Sequence, residues 1–168
     1  MNLHPFGGAL PQLDPQAWAA PTATLVGDVT VGARSTIWFG AVVRGDVMPI
    51  RIGARTSIQD NCVLHATGGW SETLVGDDCT VGHAAILHGC TVHDRVLIGM
   101  GSIVLDGAEI ASDTILGAGS LVAPRARIPS GVLALGRPAK PVRELNDDER
   151  RGILAAAEAY LELLTVYK

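Results

Sequence analysis

Three histidines, His65, His83 and His88, are the residues in this chain whose types and spacing can do metal chemistry. Three imidazoles with one open position make a catalytic metal site rather than a closed structural one. Zn is the default metal, and imidazole ligands also suit Fe and Co. A histidine taken singly is more often an ordinary surface residue, and His4 and His93 read that way. The three others differ because they sit in a repeat that fixes where each one points.

That repeat has a period of six. Ile98, Val104, Ile110, Leu116, Val122 and Ile128 recur without a break, and a small residue follows each of the first five by four positions: Ser102, Ala108, Thr114, Ser120 and Ala126. The same frame fits Val31, Ile37 and Val43, then Ile52, Ile58 and Leu64, then Val75, Val81 and Leu87. A short fixed period of this kind predicts a parallel β-helix whose coil closes after three hexapeptide faces. The aliphatic points into a narrow prism, and only small residues fit the second inward position. Glycine follows many of the aliphatics, as in Ile52-Gly53 and Ile98-Gly99, where tight corners need backbone freedom. A β-sandwich would give a period of two with irregular turn spacing instead.

With short insertions allowed after Val43 and Leu64, one corner carries Val43, Leu64 and Leu87. His65 and His88 follow the last two and should stack about 5 Å apart on successive coils. The preceding corner carries Ile37, Ile58, Val81 and Ile98, with Phe39, Asp60, His83 and Met100 two residues on. A coil edge of five or six extended residues is roughly 15 Å across, so His83 cannot reach the pair in its own chain. Parallel prisms in a cyclic homotrimer bring one corner against the neighbour's other corner, so each interface holds His65 and His88 from one chain and His83 from the next.

The rest of the chain frames this prism. Asn146 and Glu149 have the spacing of a capping box, and Ile153, Ala157, Tyr160, Leu161 and Leu164 recur at helical spacing. An amphipathic helix over about 147–167 is expected alongside a β-helix of about 22–135, the whole of residues 1–168 forming one all-β domain with that helix. Pro138 and Pro141 mark a linker, and residues 1 to about 22 an irregular lead-in with a first strand. A net charge of −4 without a basic run argues against nucleic acid. No apolar stretch is long enough to span a membrane, and no signal peptide is visible, so the chain reads as cytoplasmic. Cys62, Cys79 and Cys90 read as small buried hydrophobes rather than ligands or disulfides.

With these residues placed, the chain from about Pro21 to Tyr160 resembles the gamma-class carbonic anhydrases and their bacterial carbonic-anhydrase-like homologues. The motifs that carry the resemblance are Arg44-Gly45-Asp46, Ile58-Gln59-Asp60-Asn61, Leu64-His65, Val81-Gly82-His83, Ile86-Leu87-His88-Gly89-Cys90 and Ile98-Gly99-Met100-Gly101. The resemblance implies a left-handed β-helix and a homotrimer with one divalent metal at each subunit interface. It further implies reversible hydration of carbon dioxide to bicarbonate. Arg44, Asp46 and Asp60 become interface groups that support the ligands, with an ion pair of Arg44 and Asp60 across the interface beneath the metal. Gln59 becomes the pocket glutamine, and Tyr160 a tyrosine reaching the site from the C-terminal helix.

Three positions depart from the archaeal-type pattern. Val47 stands where those enzymes carry a glutamate, Ser57 replaces an asparagine, and the long acidic loop after the first histidine shrinks to Ala66–Leu74. Glu72 is the sole carboxylate left there as a proton relay, and it is out of register. Two other functions share this fold: a coenzyme A thioester hydrolase or acyltransferase-like enzyme, and a non-catalytic, metal-stabilised trimeric module.

Overall fold

The computed structural model describes residues 1–167, and the period of six is realised as a parallel β-helix with the helix α1 (Asp147–Tyr167) at its side. The first face stacks Trp18–Ala19, Thr36–Ile37, Ser57–Ile58, Thr80–Val81, Val96–Ile98, Thr114–Leu116 and Val132–Gly136. The second stacks Asn2–His4, Thr24–Val31, Val42–Ile52, Val63–His65, Ile86–His88, Ile103–Val104 and Leu121–Val122. The long strands Thr24–Val31 and Val42–Ile52 turn the corner and continue into the third face, which runs on through Thr73–Val75, Thr91–Val92, Glu109–Ile110 and Arg127–Ile128.

The inward aliphatics have almost no exposed surface. Leu25, Ile37, Val43, Ile58, Leu64, Val81, Leu87, Ile98, Ile110 and Leu116 all lie at 0% relative exposure, with Cys62, Cys79 and Ala108 in the small inward positions. Each buried aliphatic contributes on the order of 2 kcal/mol of transfer free energy. All three cysteines are free and buried, and burial pushes the Cys62 thiol up to about 11 and those of Cys79 and Cys90 to about 12.

Gly27, after Val26, has the left-handed φ of +70° that a tight corner needs, but most glycines after the aliphatics serve a different purpose from the one the sequence suggested. Gly99 has no left-handed φ. Instead, a Cβ there would lie 2.4 Å from the Ala118 backbone nitrogen, so the residue is glycine because the next coil passes too close. The left-handed corner conformations fall two residues later and include non-glycine residues such as Arg55, Asp78 and Ala84.

The coil pattern also extends beyond the span in which the period is visible. Asn2–His4 already pairs with Thr24–Val26 in parallel, and Gln12–Leu13 with Thr30–Val31. The segment taken as a linker around Pro138 and Pro141 is instead a strand, Ala139–Glu144, antiparallel to Val132–Gly136. It extends the first face by one strand past its last coil, and Pro141 is tolerated because it lies on the edge strand.

The capping box closes in both directions: the Glu149 N–H donates to Asn146 Oδ1 at 2.9 Å and the Asn146 N–H to Glu149 Oε2 at 3.0 Å. Ile153, Ala157 and Leu164 are the buried face of α1. Trp18, Trp38, Phe39, Tyr160 and Tyr167 form one aromatic cluster that fastens the helix to the first face. Trp38 is itself held by its indole N–H, which lies 2.9 Å from Thr36 Oγ1 and 3.1 Å from Ser57 Oγ.

Candidate metal centre

His65 and His88 are direct register partners on adjacent strands of the second face. Their rings meet with His65 Nδ1 3.2 Å from His88 Nε2. The far nitrogen of each ring touches a carboxylate: His65 Nε2 lies 3.1 Å from Asp46 Oδ1, and His88 Nδ1 lies 3.1 Å from Asp106 Oδ1. Burial pushes both carboxyls up, but hydrogen bonds from Arg44 and His65 to Asp46, and from Thr67 and His88 to Asp106, outweigh it and hold each below the ordinary carboxylate value. An ionised carboxylate only accepts. Each neutral imidazole therefore keeps its proton on the side of its aspartate, and the two remaining lone pairs face each other. Facing lone pairs repel unless a proton or a cation lies between them.

A divalent metal suits that donor pair. Two imidazole nitrogens bound to one tetrahedral Zn at 2.0–2.1 Å are about 3.3 Å apart, close to the separation seen here. His65 and His88 would hold such an ion, with their aspartates as the hydrogen-bond acceptors that orient ligating histidines.

His83 lies at the other edge of the second face, in the corner before Ile86–His88. Its Nδ1 is 2.8 Å from Asp60 Oδ2, and its Nε2 faces the Tyr160 hydroxyl at 3.4 Å. Its backbone N–H donates to Gln59 Oε1 at 3.1 Å, so the amide N–H2 is the polar end that this contact leaves free. Burial, and then the charge of Asp60, raise the Tyr160 hydroxyl above its usual value and keep it a neutral donor. Gln59, His83 and Tyr160 form the polar end of a groove of about 440 Å³ between α1 and the first face. Leu97, Met100, Ile115 and Ala156 line the remainder.

Thus one chain brings His65 and His88 together and holds His83 apart with Gln59, Asp60 and Tyr160. No group of three metal-ligating side chains forms within the chain among the described residues. Arg44 pairs with Asp46, and Asp60 with His83, so both residues expected at a subunit contact have partners in their own chain. Glu72 is exposed, and its charge bears on Arg51 rather than on a histidine. The sequence reading missed Asp106 and Thr67. Asp106 lies two residues beyond Val104, so carrying the register one coil past His88 was the available signal.

Comparison with known proteins settles the family. A carbonic anhydrase of Geobacillus kaustophilus is 48% identical over 166 residues, covering 99% of this chain and 91% of its own length. The chain belongs to the gamma carbonic anhydrase family. A mitochondrial gamma carbonic anhydrase 2 of Arabidopsis thaliana is 43% identical over 94% of the chain, which spans only 58% of that relative's length. The family profile described as bacterial transferase hexapeptide (six repeats) matches residues 89–124, which include most of the uninterrupted part of the repeat. A solved hexapeptide transferase family protein from Anaplasma phagocytophilum superposes with a TM-score of 0.95 at 40% identity, covering 99% of this chain and 98% of its own.

Proposed function

We propose that this member of the gamma carbonic anhydrase family hydrates carbon dioxide reversibly at a three-histidine metal site shared between subunits of a homotrimer. The observation that carries the reading is the pair of facing ring nitrogens of His65 and His88, 3.2 Å apart and each backed by an aspartate. His83, backed in the same way by Asp60, supplies the third ligand from the neighbouring subunit.

The outer surfaces of the prism support this assembly. On the second face, Val42, Val63, Ile86, Ile103 and Leu121 stack outward in register as a half-exposed aliphatic ladder. The third face presents Arg51, Leu74, Thr91, Glu109 and Arg127 in the same positions and suits water. The apolar ladder runs between His83 at one edge and His65 and His88 at the other. Three copies that turn this face toward a common axis bring each His83 edge against a neighbour's His65/His88 edge.

A divalent metal held by His65, His88 and the neighbour's His83, Zn by default, would supply Lewis acidity that lowers the pKa of water to roughly 7. The chain's own groups do the rest. Asp46, Asp60 and Asp106 hold the histidines in place. The Gln59 amide and the Tyr160 hydroxyl donate hydrogen bonds that orient carbon dioxide and bicarbonate, and the apolar groove wall excludes water. The released proton passes to an external base, because the carboxylates that touch the three histidines are Asp46, Asp60 and Asp106, and Glu72 is not among them. Among the described residues no helix is long and apolar enough to cross a membrane, and the buried free cysteines suit the reducing cytoplasm.

The decisive experiment is metal analysis coupled to a carbon dioxide hydration assay, on protein purified with and without air. Activity that follows metal content supports the reading; fully metal-loaded protein without hydration activity overturns it. One observation favours a second reading at the same site. The 440 Å³ groove exceeds what carbon dioxide needs and suits an acyl group, as in thioester hydrolysis. Acyl cleavage by metal-loaded protein that does not hydrate carbon dioxide would select it, and the absence of both reactions would leave a non-catalytic trimer.

A further inference from the structure

The short loop between the first two histidines is fastened down in a way that bears on His88. Thr67 Oγ1 donates to Asp106 Oδ1 at 2.7 Å, and the same oxygen accepts from His88 Nδ1 at 3.1 Å. Three further contacts hold the loop at its other end. The Ser71 hydroxyl donates to the Gly89 carbonyl, the Thr73 hydroxyl to the His65 carbonyl at 2.5 Å, and the Trp70 ring lies 5.2 Å from the Arg125 guanidinium carbon. The Gly89 N–H donates in turn to Thr73 Oγ1 at 2.8 Å. Gly89 also leaves the space that Asp106 occupies: a Cβ there would fall 2.2 Å from Asp106 Oδ1, and its φ of +58° is left-handed.

We infer that loop 66–72 is a positioning strap: Thr67 holds Asp106, and Asp106 fixes the His88 imidazole as the Nδ1–H tautomer with its Nε2 lone pair turned toward His65. This rests on reading His88 as a metal ligand, and to Asp106 it adds Thr67 and the loop that carries it. A neutral imidazole has one N–H. If Nε2 carries it, the nitrogen facing His65 has no lone pair to give. An acceptor-only carboxylate on Nδ1 removes that alternative. Thr67 matters because Asp106, on the next coil, keeps its oxygen on the ring only while the hydroxyl holds the carboxylate in place.

The test uses the intact chain with histidine labelled in its ring nitrogens. Nitrogen NMR of metal-free protein reads the His88 tautomer, and chelator competition with Zn or Co reads affinity. Wild type is expected to show Nδ1–H at His88. Thr67→Val, nearly isosteric, is expected to keep its melting temperature and assembly while its tautomers mix and its metal affinity falls by about tenfold, the lower end for loss of a ligand-orienting partner. Thr67→Ser restores both readouts, and Asp106→Ala loses up to about a hundredfold. An unchanged His88 tautomer with unchanged affinity in Thr67→Val overturns the strap. Wild type that takes up no metal overturns the ligand reading beneath it, a result distinct from the first.

Discussion

The Asp46 and Asp106 carboxylates lie on the far sides of the His65 and His88 rings, and Asp60 clamps His83 in the same way. Such a set is built to present lone pairs, which is the metal-binding half of the chemistry. The proton-exporting half is poorly provided. Val47 is exposed and apolar, and Glu72 is exposed, its charge acting weakly on Arg51. Water that gives up its proton without an internal relay must pass it to an external base. Hydration is therefore expected to rise with the concentration of an imidazole-type buffer until another step limits, and Glu72→Ala is expected to change the rate by less than about twofold at high buffer. A rate independent of buffer, together with a large loss in Glu72→Ala, would show Glu72 to be the shuttle. The stacking of His65 on His88 was legible in the sequence because the six-residue period sets the register once a short insertion after Leu64 is allowed. Asp106 was within reach of the same register, one coil past His88, but the Thr67 hydroxyl that holds it was not, since no periodicity encodes a loop contact.

Among the elements, the coil and the helix depend on different physics. Coils touch through backbone, so Gly99→Ala, which sets a methyl 2.4 Å from the Ala118 nitrogen, is expected to cost about 3 kcal/mol by overpacking, measured by denaturant unfolding. A cost near zero would mean that adjacent coils can separate. The helix depends on its cap. The Arg143 side chain, and then the Asn146 N–H, hold the Glu149 carboxyl down at about 2 against an ordinary 4.5. A depressed folded value stabilises above the unfolded one, so this contribution is complete above pH 4.5 and fades as pH falls toward 2. Glu149→Gln should melt below wild type at pH 7, and the gap should narrow steadily under acid. A constant gap would assign the effect to packing. The capping box and the helical spacing from Ile153 to Leu164 marked this helix in the sequence. The edge strand Ala139–Glu144 was hidden because two prolines there read as a break, whereas an edge strand needs fewer N–H donors.

At the scale of the whole molecule, the prism has one face for water, one for α1 and one that is aliphatic and bordered by both halves of the candidate site. If that face joins the subunits, Ile103→Asp places a charge in the middle of the ladder, beside Ile86 and Leu121. It is expected to reduce the particle from three chains to one, by light scattering, and to lower metal content in parallel. A trimer of unchanged mass and metal content would assign the contact to another face. The division of ligands between chains has a sharper consequence. A His83→Ala chain still offers His65 and His88, and a His88→Ala chain still offers His83. Neither variant alone forms a complete site, but co-refolding the two allows an interface that takes the pair from the first and His83 from the second. Random assortment makes about a quarter of the interfaces complete in a cyclic trimer. Metal binding and hydration should therefore return to about that fraction of wild type, although no single chain in the mixture carries all three histidines. If wild type refolds well under the same conditions and the mixture recovers neither metal nor activity, the three histidines do not meet across a subunit boundary.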